Sequence, residues 1–542
     1  MTNGSTRLVE GTAIDRAEIV IGLVGALGTD LSTVETALSN ALLSVGYRSG
    51  SVRISDLIKD AYARAGKPAA EPLTKLDALM DQGDALREAI NHGGAAAGLA
   101  VTAISTQRFE KSGDSNHERE SFATIIRQLK HPEEVRVLRS TYGPRFVLVG
   151  AWSPREDRSK AVEKRLRQTL HPGKEQSWYV QQVSRLLARD EKDGANRRLG
   201  QRVRDTFELA DAYLAVRSGV DISGAATRLV HLLFGKHYET PTATEQAMFQ
   251  AWGARLRSSD AGRQVGAVVI DDQGELVLSG SNEVPKPGGG QYWTGDEPDH
   301  RDFTEGSDVN EQQKIAIVTD VLQALQREPG WLAPDRQAKD VEELAAEAIN
   351  GGPLADTRIG DLLEFGRVTH AEMAAICTAA RRGVSIRNMT MMSTTYPCHE
   401  CARVIIASGI SRVVYIDPYP KSQVPEMYRH EIVDGPTQSR EAVVFEPFEG
   451  VAPRLYSRVF AKADRSRDAM GEYGTWSPTA APPRLVAEAE ATYPMSYMED
   501  GVMSRLDDAL KQAGWAEADI PSVDGIAEAV VRAVDGADPT AE

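Results

Sequence analysis

"HAEMAAICTAARRGVSIRNMTMMSTTYPCHEC", residues 370–401, holds all three cysteines of a 542-residue chain. Two of them, Cys398 and Cys401, sit in a C-x-x-C directly after Pro397. The stretch reads as a helix ("THAEMAAICTAARRG"), a strand ("IRNMTMMSTTYP") and the start of a second helix ("CHECARVIIASGI"), followed by another strand, "SRVVYIDPYP". A C-x-x-C at a helix start can aim both sulfurs at one ion, and the helix N-terminus favours thiolate over thiol. Catalytic zinc takes three protein ligands and keeps a fourth position for water. His370, separated from Cys398 by 27 residues, is the candidate third ligand.

Two residues after the histidine stands Glu372. A carboxylate one step removed from a metal can take a proton from the activated water and deliver it to a leaving amine. The order H-A-E…P-C-x-x-C matches the pattern of zinc nucleobase deaminases, in which the glutamate is not a ligand. A structural Cys₄ site needs a fourth cysteine, and the chain has three. Cys377 lies about two helical turns beyond His370, roughly 10 Å along the axis, and reads as a buried small hydrophobe. His399, between the two cysteines, remains a conceivable ligand.

Outward from this stretch, "TATEQAMFQAWGARLRSSD" reads as an amphipathic helix and "VGAVVIDDQGELVLSGSNEV" as two strands joined by a turn at Asp271–Gly274. A Gly/Pro-rich segment, "PKPGGGQYWTGDEPDHRDF", leads into helical patterns near 308–327 and 336–349. Residues 288–369 therefore read as an insert with Gly288–Gly290 as a hinge. Long insertions beside a site are commonly lids or regulatory elements.

Near the N-terminus, "AEIVIGLVGALG" reads as a buried strand running into a Gly-rich turn, and the following helix has Thr29 and Asp30 as candidate caps. "PRFVLVGAWSP" reads as another buried strand, followed by the charged helix "REDRSKAVEKRLRQTL". Strands alternating with helices predict an α/β domain with a parallel sheet. The Gly-rich turn could cradle phosphate through Gly22, Gly25, Gly28, Thr29 and Asp30. Against G-x-x-x-x-G-K-[ST], however, Thr29 stands at the lysine, Asp30 at the hydroxyl and Leu23 at the first glycine. This predicts a turn that has lost phosphoryl transfer, with nucleotide binding left open. Arg155, Arg158, Arg202 and Arg204 are candidate compensating cations. The expected division is 1–240, 241–470 and a tail, 471–542, with short helices near 502–514 and 523–535.

The net charge of −16, with a sequence pI near 5.3, argues against long polyanionic substrates. Three cysteines fit a reducing, cytosolic setting. The polar opening "MTNGSTRLVEGTAIDRAE" shows no signal-peptide pattern, and the longest apolar runs are too short to span a bilayer.

"SSDAGRQVGAVVIDD", "SGSNEVP", "HAEMAAI" and "TYPCHECARVIIASGI" give residues 245–425 a resemblance to the deoxycytidylate deaminase branch of the cytidine deaminase superfamily. That resemblance implies an α/β/α sandwich, Zn2+ on His370, Cys398 and Cys401, Glu372 as proton shuttle, and substrate contact at Asn282 and Ala371. "GLVGALGTDL", "DEKDGANRRLGQRVRDTFELADAYL", "NEVPKPGGGQYW" and "DPYPKS" further resemble the bacterial anti-phage deoxycytidylate deaminases, which carry an N-terminal P-loop kinase-like domain. This second resemblance implies conversion of dCTP and dCMP to uracil nucleotides, a cytoplasmic homo-oligomer, and in some relatives an inhibitory partner RNA.

Overall fold

Seven consecutive buried residues, Ile19–Gly25, form the strand (β1) around which the N-terminal half of the protein is built. The computed structural model describes residues 16–66, 74–115, 118–169, 173–191, 198–355, 357–360, 362, 364–416, 424–435, 441–461, 474–484 and 495–515. The sequence-predicted helix near 523–535 and the "DPYPKS" phrase, residues 417–422, lie outside the described residues. The chain divides into two compact units: Thr242–Phe448, and the described residues before Thr242 together with those from Glu449 onward.

In the first unit β1 lies between β3 (Phe122–Arg127) and β4 (Phe146–Trp152), parallel to both. β2 (Arg48–Arg53) extends the sheet beyond β3, and β5 (Ala212–Ala215) beyond β4, both in parallel. β1 and β4 are buried throughout, as their unbroken apolar runs predict for a sheet covered on both faces. The helix Leu31–Ser44 buries Leu31, Val34, Leu38, Ala41 and Leu42, a helical-period stripe, in the same core as Ile21, Leu23, Val147 and Leu229.

A short strand, β12 (Gly450–Val451), pairs antiparallel with β5, and Val451, Leu455 and Val459 enter the core. The sequence reading carried the second domain to residue 470, whereas the chain has rejoined the first unit by Glu449. The tail helix, Met495–Gln512, also belongs to this unit. Its Glu499 receives two hydrogen bonds from Arg108, at 2.6 and 2.7 Å, and Arg108 also binds Glu18. All three side chains are buried. The sequence reading placed a short helix near 502–514 in a separate tail, but an ion-pair partner 391 residues away leaves no local signature of where that helix docks.

In the second unit the sheet order is β10 (Ile432–Asp434), β11 (Val443–Pro447), β9 (Arg412–Tyr415), β8 (Thr390–Ser393), β6 (Gly266–Ile270), β7 (Leu276–Ser281). β6 runs antiparallel to β7 and β8, and the remaining pairs are parallel. Helices cover both faces. A Cβ on Gly266 would lie 2.0 Å from the carbonyl of Ala251, in the helix Ala243–Arg255. One on Gly280 would lie 2.2 Å from the carbonyl of Ala371, in the helix Ala371–Arg382. Gly280 is cross-strand from Ala267, the neighbour of Gly266, so pleat alternation places these helices on opposite faces.

Within the insert, the helices Val309–Arg327 and Val341–Ile349 share a small core of Val318, Ala345 and Ile349. Gly288, Gly289 and Gly290 all have positive φ, in a turn closed by hydrogen bonds from Lys286 N to Gly290 O and from Gly289 N to Lys286 O. The predicted hinge is thus a hydrogen-bonded turn in this structure. No helix among the described residues is long and apolar enough to cross a membrane.

Because breaking a buried ion pair strands its partner's charge, Glu499→Ala should destabilise the first unit by about 3 kcal/mol. A lowered denaturant midpoint with unchanged metal content in the second unit is the expected result.

Candidate metal centre and active site

Two helix beginnings bring the candidate ligands together. His370 is the N-cap of Ala371–Arg382, with extended φ and ψ of −62° and 153° and no side-chain capping bond, so its ring is not engaged at the helix end. Cys398 is the N-cap of His399–Ser408, also extended. Pro397, which cannot donate to a strand ladder, separates that helix from β8. The Cys398 sulfur accepts the backbone N–H of Cys401 at 3.5 Å, which folds the C-x-x-C back on itself.

The Nδ1 atom of His370 lies 3.3 Å from the sulfur of Cys398 and 3.3 Å from that of Cys401. All three donor atoms lie within 4.8 Å of one another. Zinc bonds of about 2.3 Å to sulfur and 2.0–2.1 Å to nitrogen put tetrahedral donor edges at roughly 3.5–3.8 Å. The two nitrogen–sulfur edges come within a few tenths of an ångström of this, and one imidazole with two thiols is a donor set that fits a zinc ion. Among the described residues no further His, Cys, Asp or Glu joins the group.

Protons are already unevenly held here. The Cys398 thiol is lowered to about 4, first by its hydrogen bond with Cys401 and then, against burial, by His370. His370 is raised to about 9, chiefly by its hydrogen bond with the Cys398 sulfur. Cys401 is pushed well up by the bond it gives Cys398 and by burial.

Glu372 is buried beside this group. Its Oε2 lies 3.4 Å from the Cys401 sulfur, and its Oε1 accepts a hydrogen bond from Ser393 Oγ at 2.8 Å. Burial first, and then the charge on Cys398, push its carboxyl above the ordinary range. A carboxyl whose hold on its proton is strengthened by burial, set beside three candidate metal donors, is suited to giving and taking protons.

His399 is outside the donor group and faces Glu364 at 3.4 Å. Cys377 is exposed, not buried as the sequence predicted. Its helix buries Ala371, Glu372, Ala374, Ala375 and Ala379, and position 377 falls on the opposite face. Ala371 is fully buried under Gly280. The Asn282 side chain donates to Arg263 O and accepts from Val265 N, both at 2.6 Å, so it holds the 263–265 loop. Sequence reasoning missed Ser393, whose only signal is a hydroxyl at the apolar, buried end of the strand TMMS.

In the first unit's Gly-rich turn, Gly22 and Gly25 lie within β1. A Cβ on Gly22 would meet Leu129 and Phe146 at 2.8 Å, so that glycine serves strand packing. Gly28, at φ +90°, presses against the backbone of Arg158. Thr29 is buried, and Asp30 caps the next helix by accepting from Ser32 N and Thr33 N. The N–H of Leu27 donates to Asp190 at 2.6 Å, and Lys130 binds both Asp190 and the carbonyl of Gly25. Arg155 and Arg158 bind Glu191, and Arg202 binds Asp205. Arg204 is buried in the helix Val203–Phe207.

Residues 241–417 match the family described as the cytidine and deoxycytidylate deaminase zinc-binding region. Deoxycytidylate deaminases of Enterobacteria phages T2 and T4 are each 48% identical over 54 residues, 10% of this chain and 29% and 28% of theirs. A probable deoxycytidylate deaminase of Drosophila melanogaster is 43% identical over 49 residues, 9% of this chain and 23% of that one. The chain thus spans less than a third of the length of these curated relatives. A dCMP deaminase from cyanophage S-TIM5, solved with dCMP and dUMP, is 17% identical over 39% of this chain and all of that one, with a TM-score of 0.22.

One zinc per chain is expected, and metal analysis checks it. Cys398→Ser should lose the ion, while Cys377→Ser, on the outer face of its helix, should keep it.

Proposed function

We propose that residues 242–448 form a zinc-dependent deaminase that converts the deoxycytidine nucleotides dCMP and dCTP to deoxyuridine nucleotides and ammonia. The observation that carries this reading is a buried carboxyl, Glu372, set against a three-donor metal corner. A closed structural zinc site has four protein donors, and a carboxyl beside it serves no purpose. The family match over 241–417 and the phage deoxycytidylate deaminases support the substrate class.

His370, Cys398 and Cys401 would hold the ion. When bound, zinc supplies the Lewis acidity that brings the ionisation of water into the neutral range. Glu372 takes a proton as water adds at C4 of the cytosine ring and gives one to N3. It then takes the proton of the new C4 hydroxyl and passes it to the exocyclic nitrogen, the C4–N bond breaks as the C4 carbonyl forms, and ammonia leaves. One water is consumed and the carboxyl returns to its starting state. Asn282 keeps the 263–265 loop in place beside the nucleotide.

In the cell this reaction drains the cytidine deoxynucleotide pool, and we assign the protein to anti-phage defence on that ground. The first unit then serves as a regulatory or assembly platform for a cytoplasmic homo-oligomer and transfers no phosphate. Asp30 is engaged as a helix cap, and no lysine stands at the position that would reach the β/γ-phosphates.

The direct test is to incubate the purified protein with dCTP, dCMP, cytidine and a single-stranded oligonucleotide and to assay ammonia and the uracil product. Release from the free deoxynucleotides supports the reading, and release from the oligonucleotide alone overturns it. Glu372→Ala should retain zinc and lose about 10²–10⁴-fold in turnover. With ATP and any nucleoside monophosphate, no diphosphate product should form. Replacing residues 306–360, which contain the insert's own small core, with a short linker should leave zinc bound while changing relative rates on dCMP and dCTP.

A further inference from the structure

We propose that Ser393 is a positioning residue for this reaction: its hydroxyl fixes the Glu372 carboxyl so that Oε2 faces the metal corner. The assignment rests on the deaminase reading given above. Ser393 is the last residue of β8 and pairs with Ala267 of β6 and Tyr415 of β9. Ala267 is also cross-strand from Gly280, the residue on which the helix Ala371–Arg382 rests. Register therefore points the side chains of Ser393 and Ala267 to the face on which Gly280 meets the helix, the face that carries Glu372.

Ser393 is fully buried. A buried hydroxyl needs a partner, and β8 otherwise consists of Thr390, Met391 and Met392. Its partner is Glu372 Oε1, 21 residues away, at 2.8 Å. Ser393 Oγ also accepts from the backbone N–H of Thr395 at 3.5 Å, which leaves its own proton for the carboxyl. With Oε1 held as an acceptor, Oε2 is the oxygen left to the reaction, and it is the one 3.4 Å from Cys401. A Glu side chain has three rotatable torsions, and the last is broad and two-fold. Without Ser393 the carboxyl can swing in its plane, and proton transfer depends on alignment to within a fraction of an ångström.

The experiment compares wild type, Ser393→Ala, Ser393→Thr, Glu372→Ala and the Ser393→Ala/Glu372→Ala double variant. Each is assayed for zinc content and for kcat and KM on dCMP. Ser393→Ala should bind zinc fully, keep its KM, and lose on the order of tenfold or more in kcat. Ser393→Thr, which keeps the hydroxyl and suits a strand, should recover most of that loss. In the Glu372→Ala background, removing the serine should change the residual turnover little, because its effect passes through the carboxyl.

Equal fold-losses in both backgrounds would overturn the assignment, as would a rise in KM alone, loss of zinc from Ser393→Ala, or no rescue by threonine in a folded, zinc-loaded protein. The two readings fail separately. Full turnover by Glu372→Ala removes the deaminase mechanism itself. An inactive Glu372→Ala beside a fully active Ser393→Ala removes only the role of Ser393.

Discussion

The close approach of Gly280 to the carbonyl of Ala371 sets the geometry of the second unit's site. At 2.2 Å from that oxygen, no Cβ can be accommodated on the strand, so the helix sinks onto β7 to a depth that only glycine permits. Ala371 is the first residue of the helix, which places the contact between His370 and Glu372. The depth of one helix end therefore positions a candidate metal ligand and a candidate proton carrier together. A substitution at Gly280 would move both at once.

The second helix makes a complementary demand. A metal centre of the proposed kind needs donors that converge without closing, and two N-caps meet that need better than residues inside helices. An N-cap has extended backbone, so its side chain can leave the helix axis, as those of His370 and Cys398 do. Cys401, inside the first turn, is aimed by its own N–H, which the Cys398 sulfur accepts. The same helix ends supply the positive potential that stabilises thiolate. Burial then acts against charge, and it is strongest on Glu372, whose two oxygens are divided between Ser393 and Cys401.

Much of this was readable in residues 370–401 because the chemistry there is local. Donor types, the proline before the helix and the carboxyl two residues beyond the histidine are all set by short spacings. Buried strands such as Ile19–Gly25 and Phe146–Trp152 were equally plain, since a sheet covered on both faces writes an unbroken apolar run. The sequence was silent where partners are distant or signals weak. β2, RSGSVR, is an edge strand with one buried residue, and its polarity hides it. The return of the chain to the first unit at Glu449 depends on pairing with Tyr213 and Ala212, more than 200 residues earlier. Cys377 was misplaced because two turns were counted from a residue that caps the helix and does not share its buried face.

The Gly-rich turn of the first unit shows how a motif-like stretch can be occupied by its own chain. Backbone N–H groups in such a turn attract anions. Here the N–H of Leu27 faces the carboxylate of Asp190, which is fully buried, and Lys130 neutralises that carboxylate from the other side. Asp30 supplies a second carboxylate at the following helix N-terminus and binds the N–H groups of Ser32 and Thr33. A phosphate entering the turn would have to displace Asp190 from its lysine and would meet the charge of Asp30. The first step strands charge where Asp190 is buried and unpaired charge is poorly tolerated, and the second adds like-charge repulsion from the exposed Asp30. The local physics therefore favours a turn that stabilises its own fold.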